Sequence, residues 1–210
     1  DPGNTVVCHL VPNSATEAAL FDARKRYLGM ADAHGFAFTA PGSLHMTLFQ
    51  GVLNRRRSAP YWPEGLPLDM PVADVTELLL QRLEGFTAGP DFAVELVQAV
   101  PTGLIVEGVS AEDRKALAEW RNRFAELFGY RHPDHERYQF HITFAYPVQW
   151  IADERLPAWA MMLDEVTEDI RARAPVLQLR APAFCAFEDM NFFDELLVLD
   201  QKTTEPSEAA

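Results

Sequence analysis

The tripeptides His45-Met46-Thr47 and His141-Ile142-Thr143 occur once in each half of this 210-residue chain, 96 positions apart. A common offset of that size marks an internally repeated plan. The same shift carries the apolar run at residues 6–10 onto 102–106, and the helical spacing that opens at Thr16 onto the one near Glu112. Whatever the fold, it has to set both tripeptides in matching surroundings.

Around these anchors the hydrophobic periods alternate between two and about 3.6. Residues 5–11 read as a buried strand ended by Pro12-Asn13-Ser14, and Thr16 opens a helix that stops near Gly35. Residues 44–50 form a strand. Residues 51–71 break into a loop long enough to serve as a lid, with Arg55, Arg56, Arg57, Trp62 and several prolines. Helical spacing resumes over 72–83 and a strand follows over 92–96. The second half repeats the order: strand 104–109, helix 111–128, strand 140–146, helix 152–172, strand 176–180. Strands at 183–187 and 196–199 extend it, and residues 201–210 look like a flexible tail. The expectation is an α+β, single bilobal domain with two pseudo-symmetric β-α-β-α-β lobes, lobe one spanning about 1–100 and lobe two about 101–200.

Composition narrows the function classes. With 48% hydrophobic and 23% charged residues, the chain can bury a core and is not a disordered or collagen-like sequence. Its 31 acidic against 18 basic residues give a net charge of −13, a field that repels a nucleic-acid duplex or an anionic membrane. A short anion is still admissible, because salt screens distant charge beyond about 8–10 Å and a few cations in a cleft can dominate locally. Cys8 and Cys185 are too few for a disulfide framework. That cysteine usage makes a reducing cytoplasm the expected compartment, no signal-peptide pattern or membrane-length apolar run is present, and a monomer is expected. No Gly-rich phosphate loop follows a predicted strand, so no cofactor is expected.

The chemistry is concentrated in the repeated tripeptides. In a strand, His and Thr two positions apart share a face at about 7 Å spacing, while Met46 and Ile142 point into the core. One neutral imidazole can accept a proton while a second delivers one, since both titrate near neutrality. Thr47 and Thr143 can donate hydrogen bonds to the oxygens of a reacting phosphodiester, and none of this requires a metal. A lone His-x-Thr arises readily by accident. Two at matched repeat positions, each beside an apolar core residue, weaken that explanation.

Further candidates surround these four. Arg55 and Arg57 follow His45 closely enough in sequence to swing over a cleft and fork onto a phosphate, Arg57 being favoured because Trp62-Pro63 could rigidify it; the alternative is a solvated basic turn. Trp62 or Tyr61 could stack on a base, against simple packing. Arg137 shares strand parity with His141 and is a secondary phosphate ligand, against an exposed strand-entry charge. Tyr138 and Tyr146 read as packing residues, His9 as a packed strand position and His34 as a helix cap. Two rivals from other classes stand beside the hydrolase reading. One is a metal-dependent hydrolase built on His132, Asp134 and His135, with His141 near enough in sequence to join them. The other is a non-catalytic nucleotide-binding module.

The segments Ser43-Leu44-His45-Met46-Thr47-Leu48 and Gln139-Phe140-His141-Ile142-Thr143-Phe144 resemble the two His-x-Thr signatures of the two-histidine phosphoesterase superfamily. That superfamily includes RNA 2′,5′-ligases, 2′,3′-cyclic nucleotide phosphodiesterases and 2′,5′-oligoadenylate-cleaving enzymes. The resemblance implies a bilobal α+β fold with antiparallel sheets lining a central cleft, metal-independent phosphodiester chemistry, and His45, Thr47, His141 and Thr143 as the catalytic set. The stretch from Gly51 through Arg57 to Trp62-Pro63 is similar to a branch known as a domain of unknown function. The expected substrate is a small phosphodiester, foremost a 2′,3′-cyclic phosphate of a nucleotide or RNA terminus.

Overall fold

Seven antiparallel strands form the central sheet of this α+β protein, for which the computed structural model describes residues 1–200. They are β1 (Gly3–His9), β3 (His45–Leu53), β4 (Val94–Val100), β5 (Gly103–Gly108), β6 (Phe140–Thr143), β8 (Ala183–Phe187) and β9 (Asp194–Val198), in the spatial order β4-β5-β6-β3-β1-β8-β9. A separate ribbon pairs β2 (Phe36–Phe38) with β7 (Ala145–Pro147). The helices are α1 (Ala15–Leu28), α2 (Val72–Arg82), α3 (Ala111–Phe128) and α4 (Leu156–Arg173). Among the described residues no helix is long and apolar enough to cross a membrane.

Local chemistry explains the helix limits. Ser14 caps α1 by accepting from the Glu17 amide, and Ser110 with Asp113 forms a reciprocal capping box at the start of α3. Gly129, at φ 76°, ends α3 in a left-handed turn that suits glycine. The expected helix from residue 152 begins at Leu156 instead, because a prolyl residue in the first turn favours that start and residues 153–155 form a single 3-10 turn. The expected helix toward Gly35 stops at Leu28, and the strand expected over 176–180 is reduced to two isolated bridges, Leu10–Leu179 and Val94–Leu177.

One extended core takes in the inward side chains of the central strands, among them Val6, Cys8, Met46, Leu48, Leu104 and Ile142, with Phe124 and Phe128 from α3 and Trp159 from α4. Removing a side chain such as Met46, fully buried, costs about 2–5 kcal/mol. A register shift between β1 and β3 lets Val6 face Phe49 and Val7 face Thr47, so Leu48 is the extra residue. Leu48 and Phe49 are thereby both buried while Thr47 and His45 keep to the other face. There a smaller cluster of Val7, Ala183, Cys185, Phe187 and Phe193 covers the β1–β8 part of the sheet. Cys8 and Cys185 are buried free thiols that burial makes hard to ionise.

The sheet does not divide where the chain was expected to divide. β4, placed in lobe one, pairs with β5, and β8 and β9, placed in lobe two, extend the sheet from β1. Each side of the seven-stranded sheet borrows strands from the other half of the sequence, and the two sides are joined through β3 and β6. The tail at 201–210 lies outside the described residues.

Candidate active site

β3 and β6 are neighbours at the centre of the sheet, paired antiparallel through Met46 and Ile142. Both of these side chains are fully buried. Side-chain alternation then sends His45, Thr47, His141 and Thr143 to the opposite face. Because the strands run antiparallel about that pair, His45 lies toward Thr143 and Thr47 toward His141. Gly103, across from Thr143 at φ 145°, makes room for this: a Cβ there would stand 2.1 Å from the Ile142 carbonyl oxygen.

The two imidazoles are oriented in the same way. Nδ1 of His45 is 2.6 Å from the Ser43 carbonyl oxygen, and Nδ1 of His141 is 3.2 Å from that of Gln139. A carbonyl only accepts, so each Nδ1 carries the hydrogen and Nε2 is the nitrogen left for chemistry. The hydroxyls of Thr47 and Thr143 have no protein hydrogen-bond partner among the described residues.

The surroundings of the two rings differ. His9 lies directly across from His45 in the β1–β3 register, with ring centroids 5.9 Å apart, and Phe193 stands edge-on to His45 at 4.3 Å. Burial pushes the His45 pKa down to about 4, against the pull of the Ser43 carbonyl; charge on His9 or His141 would lower it further. His9 is itself lowered by burial, with Glu195 at 3.7 Å opposing this and Arg180, which pairs with Glu195 at 3.1 Å, adding to it. His141 is exposed; it faces Ile105 across the β5–β6 register, and its ring lies 6.2 Å from that of Tyr138. His9 and Phe193 were not singled out from the sequence as site residues. The repeat held a clue to His9, since a shift of 96 places it on Ile105, the cross-strand neighbour of His141.

The arginines after the first motif are not brought to the histidines. β3 runs nine residues from His45 to Leu53, which carries the chain roughly 25–30 Å away before Asn54. Arg55 pairs with Asp1 at 3.1 Å. Arg57 clasps its own loop, donating to the Asn54 carbonyl and side chain and to the carbonyls of Leu68 and Met70, with its guanidinium 5.0 Å from the Trp62 ring. It lines a cavity of about 940 Å³ between α2 and the β8–β9 hairpin, where none of the four motif residues appears. Trp62 is buried with its indole donating to the Pro67 carbonyl, so it offers no face to a base. Arg137 is exposed and lines a separate cavity beside β6.

The two adjacent histidines of the metal alternative are engaged by side-chain amides. His132 Nδ1 bonds Gln50 at 2.7 Å and His135 Nε2 bonds Asn122 at 2.9 Å, and both rings sit buried among aromatic residues. Burial lowers each pKa to about 4. Among the described residues no three His, Cys, Asp or Glu side chains are arranged to hold a metal ion.

Comparisons with known proteins bear on this geometry. The family described as 2H-phosphodiest, a domain of unknown function (DUF1868), matches residues 1–105. A crystal structure of a conserved protein of unknown function from Agrobacterium tumefaciens is 52% identical, with a TM-score of 0.93 over 95% of this chain and 86% of that one. No curated protein matches.

Proposed function

The chain belongs to this two-histidine phosphodiesterase family of unknown function, and from that premise we propose that it hydrolyses a small phosphodiester, a 2′,3′-cyclic phosphate of a nucleotide or RNA terminus fitting best. The observation that carries the reading is the matched pair of imidazoles on adjacent strands, each with Nδ1–H held by the carbonyl two residues upstream and Nε2 left to react.

Burial keeps His45 neutral at neutral pH, which suits a general base that takes a proton from the attacking water through Nε2. That leaves His141 to deliver a proton to the leaving oxygen. The Thr47 and Thr143 hydroxyls donate to the non-bridging oxygens, where charge accumulates in the transition state. Every step uses a group of this chain and none is routed through a metal.

The test is turnover of the four 2′,3′-cyclic nucleotides in chelator, with identification of the monophosphate isomer formed. The reading expects turnover in chelator by the wild type and a single isomer. Turnover that disappears in chelator and returns with zinc or manganese would replace it with a metal mechanism, and saturable binding without turnover would make the protein a nucleotide-binding module.

A further inference from the structure

A cavity of about 450 Å³ opens between α3 and the segment leading into β6. Arg121 of α3 forms part of its wall and is only 3% exposed. Its Nη1 donates to the Leu48 carbonyl at 2.8 Å, but among the described residues its Nε is buried without a partner and no carboxylate lies within ion-pairing distance. The ring of Tyr138 covers it at 4.0 Å, with those of Phe49 and Phe140 at 5.6 and 5.9 Å. Stacking on rings offsets part of the cost of burying a guanidinium but gives it no ion pair, and Asp134 and Glu136 favour its charge only from a distance.

Two further observations point the same way. Tyr138 also lines the cavity; its hydroxyl is buried behind the wall with no partner among the described residues, and burial keeps it protonated and able to donate. Arg137 stands at the wall, exposed and without a carboxylate partner among the described residues. Of the other charges nearby, Glu136 is engaged by Arg131, and Arg114 donates to the Gly108 carbonyl at 2.9 Å. Glu107 also lines the wall, and Asp134 and Glu136 act on Arg121 from a distance without pairing with it. On a chain of net charge −13, this is a local concentration of cations around a hollow.

We propose that the cavity is an anion subsite that binds a phosphate group at the exposed Arg137, with the Arg121 guanidinium and the Tyr138 hydroxyl just behind the wall as further donors that the anion reaches when the Tyr138 ring turns. A guanidinium fork and a phenol match a tetrahedral oxyanion. The cavity adjoins the histidine site, because its wall includes Ile105, across from His141, and Gln139, whose carbonyl orients His141. Resting on the hydrolase reading above, the phosphate is a second one carried by the substrate, so the preferred substrate is a phosphorylated cyclic nucleotide or RNA end and not a lone cyclic mononucleotide.

Inorganic phosphate titrated calorimetrically into His45→Ala/His141→Ala protein isolates the cavity from the histidine site. One site is expected to remain, weakened about tenfold or more by Arg137→Glu, an exposed substitution, and likewise by Arg121→Gln if that variant folds. No phosphate binding in the double-histidine background, or binding unchanged by Arg137→Glu, overturns the subsite. In the wild type, a 5′-phosphorylated 2′,3′-cyclic nucleotide should show a KM about tenfold below that of its 5′-hydroxyl counterpart, and Arg137→Glu should erase the difference. Equal KM values in the wild type overturn the assignment to the substrate. Turnover of neither ester, with cavity-dependent phosphate binding intact, would overturn the hydrolase reading alone.

Discussion

His45 and His141 occupy equivalent stations on paired strands, with the same Nδ1 hydrogen bond and the same spacing to a threonine, yet their neighbours are unlike. Beside His45 stand His9 and Phe193; beside His141 stand Ile105 and the ring of Tyr138. The strand β8 and the segment after it cover the first side, so among the described residues the roof over His45 has no counterpart over His141. A repeat reproduces backbone positions, while the packing that sets an imidazole's proton affinity is specified residue by residue. Two copies of one motif can therefore take opposite roles in a proton-transfer pair.

The comparison breaks most visibly if the hydroxyls prove unequal. Thr47→Val and Thr143→Val should each lower kcat by about 10²-fold with little change in fold stability, as measured by steady-state kinetics and urea unfolding. A large loss from one and none from the other would mean that the phosphoryl group sits on one side only.

Opening the roof sharpens the contrast. Phe193→Ala should admit water to His45 and raise its pKa from about 4 toward the ordinary value near 6.5. The acid limb of kcat/KM should move upward with it, and the rate at pH 5 should fall by about tenfold while the rate at pH 7.5 changes little.

The buried histidines outside the site give a control in stability instead of rate. His132, with its pKa lowered to about 4, binds fewer protons folded than unfolded between pH 4 and 6.5. Its contribution is thus fully present above about 6.5 and is lost as pH falls toward 4. His132→Gln should lose less stability than the wild type between pH 7 and 5 in urea titrations. An equal loss in both would place that acid sensitivity elsewhere.

The smallest effect is expected from making the halves alike. His9→Ile copies the His141 side, where Ile105 stands, and removes a charge that lowers His45. A shift of the acid limb by less than about one unit and a rate change below about threefold are expected. A loss comparable to that of a motif histidine would make His9 part of the proton path.

Much of the site was legible because it depends on local parity. Met46 and Ile142 are buried and their flanking His and Thr face the other way, as the tripeptides implied. Helix α3 was legible from its apolar spacing and the cap residues at both ends. Strand order was not, because the pairing of β4 with β5 and of β8 with β1 depends on contacts between distant segments. Arg57 misled for the same reason. Twelve residues after His45 is near in sequence, but a straight strand converts that interval into distance, and the guanidinium is taken up by the carbonyls of its own loop. Arg121 carries no motif and gains meaning only from the cavity beside it and from having no ion pair among the described residues.

The division of labour between the two imidazoles is tested most directly by the pH dependence of kcat/KM on a 2′,3′-cyclic nucleotide in chelator, for the wild type, His45→Ala and His141→Ala. The wild type should show an acid limb near pH 4, set by His45, and each variant should lose on the order of 10²–10⁴-fold. Wild-type turnover in either variant, or an acid limb at the ordinary imidazole value near 6.5, would contradict it.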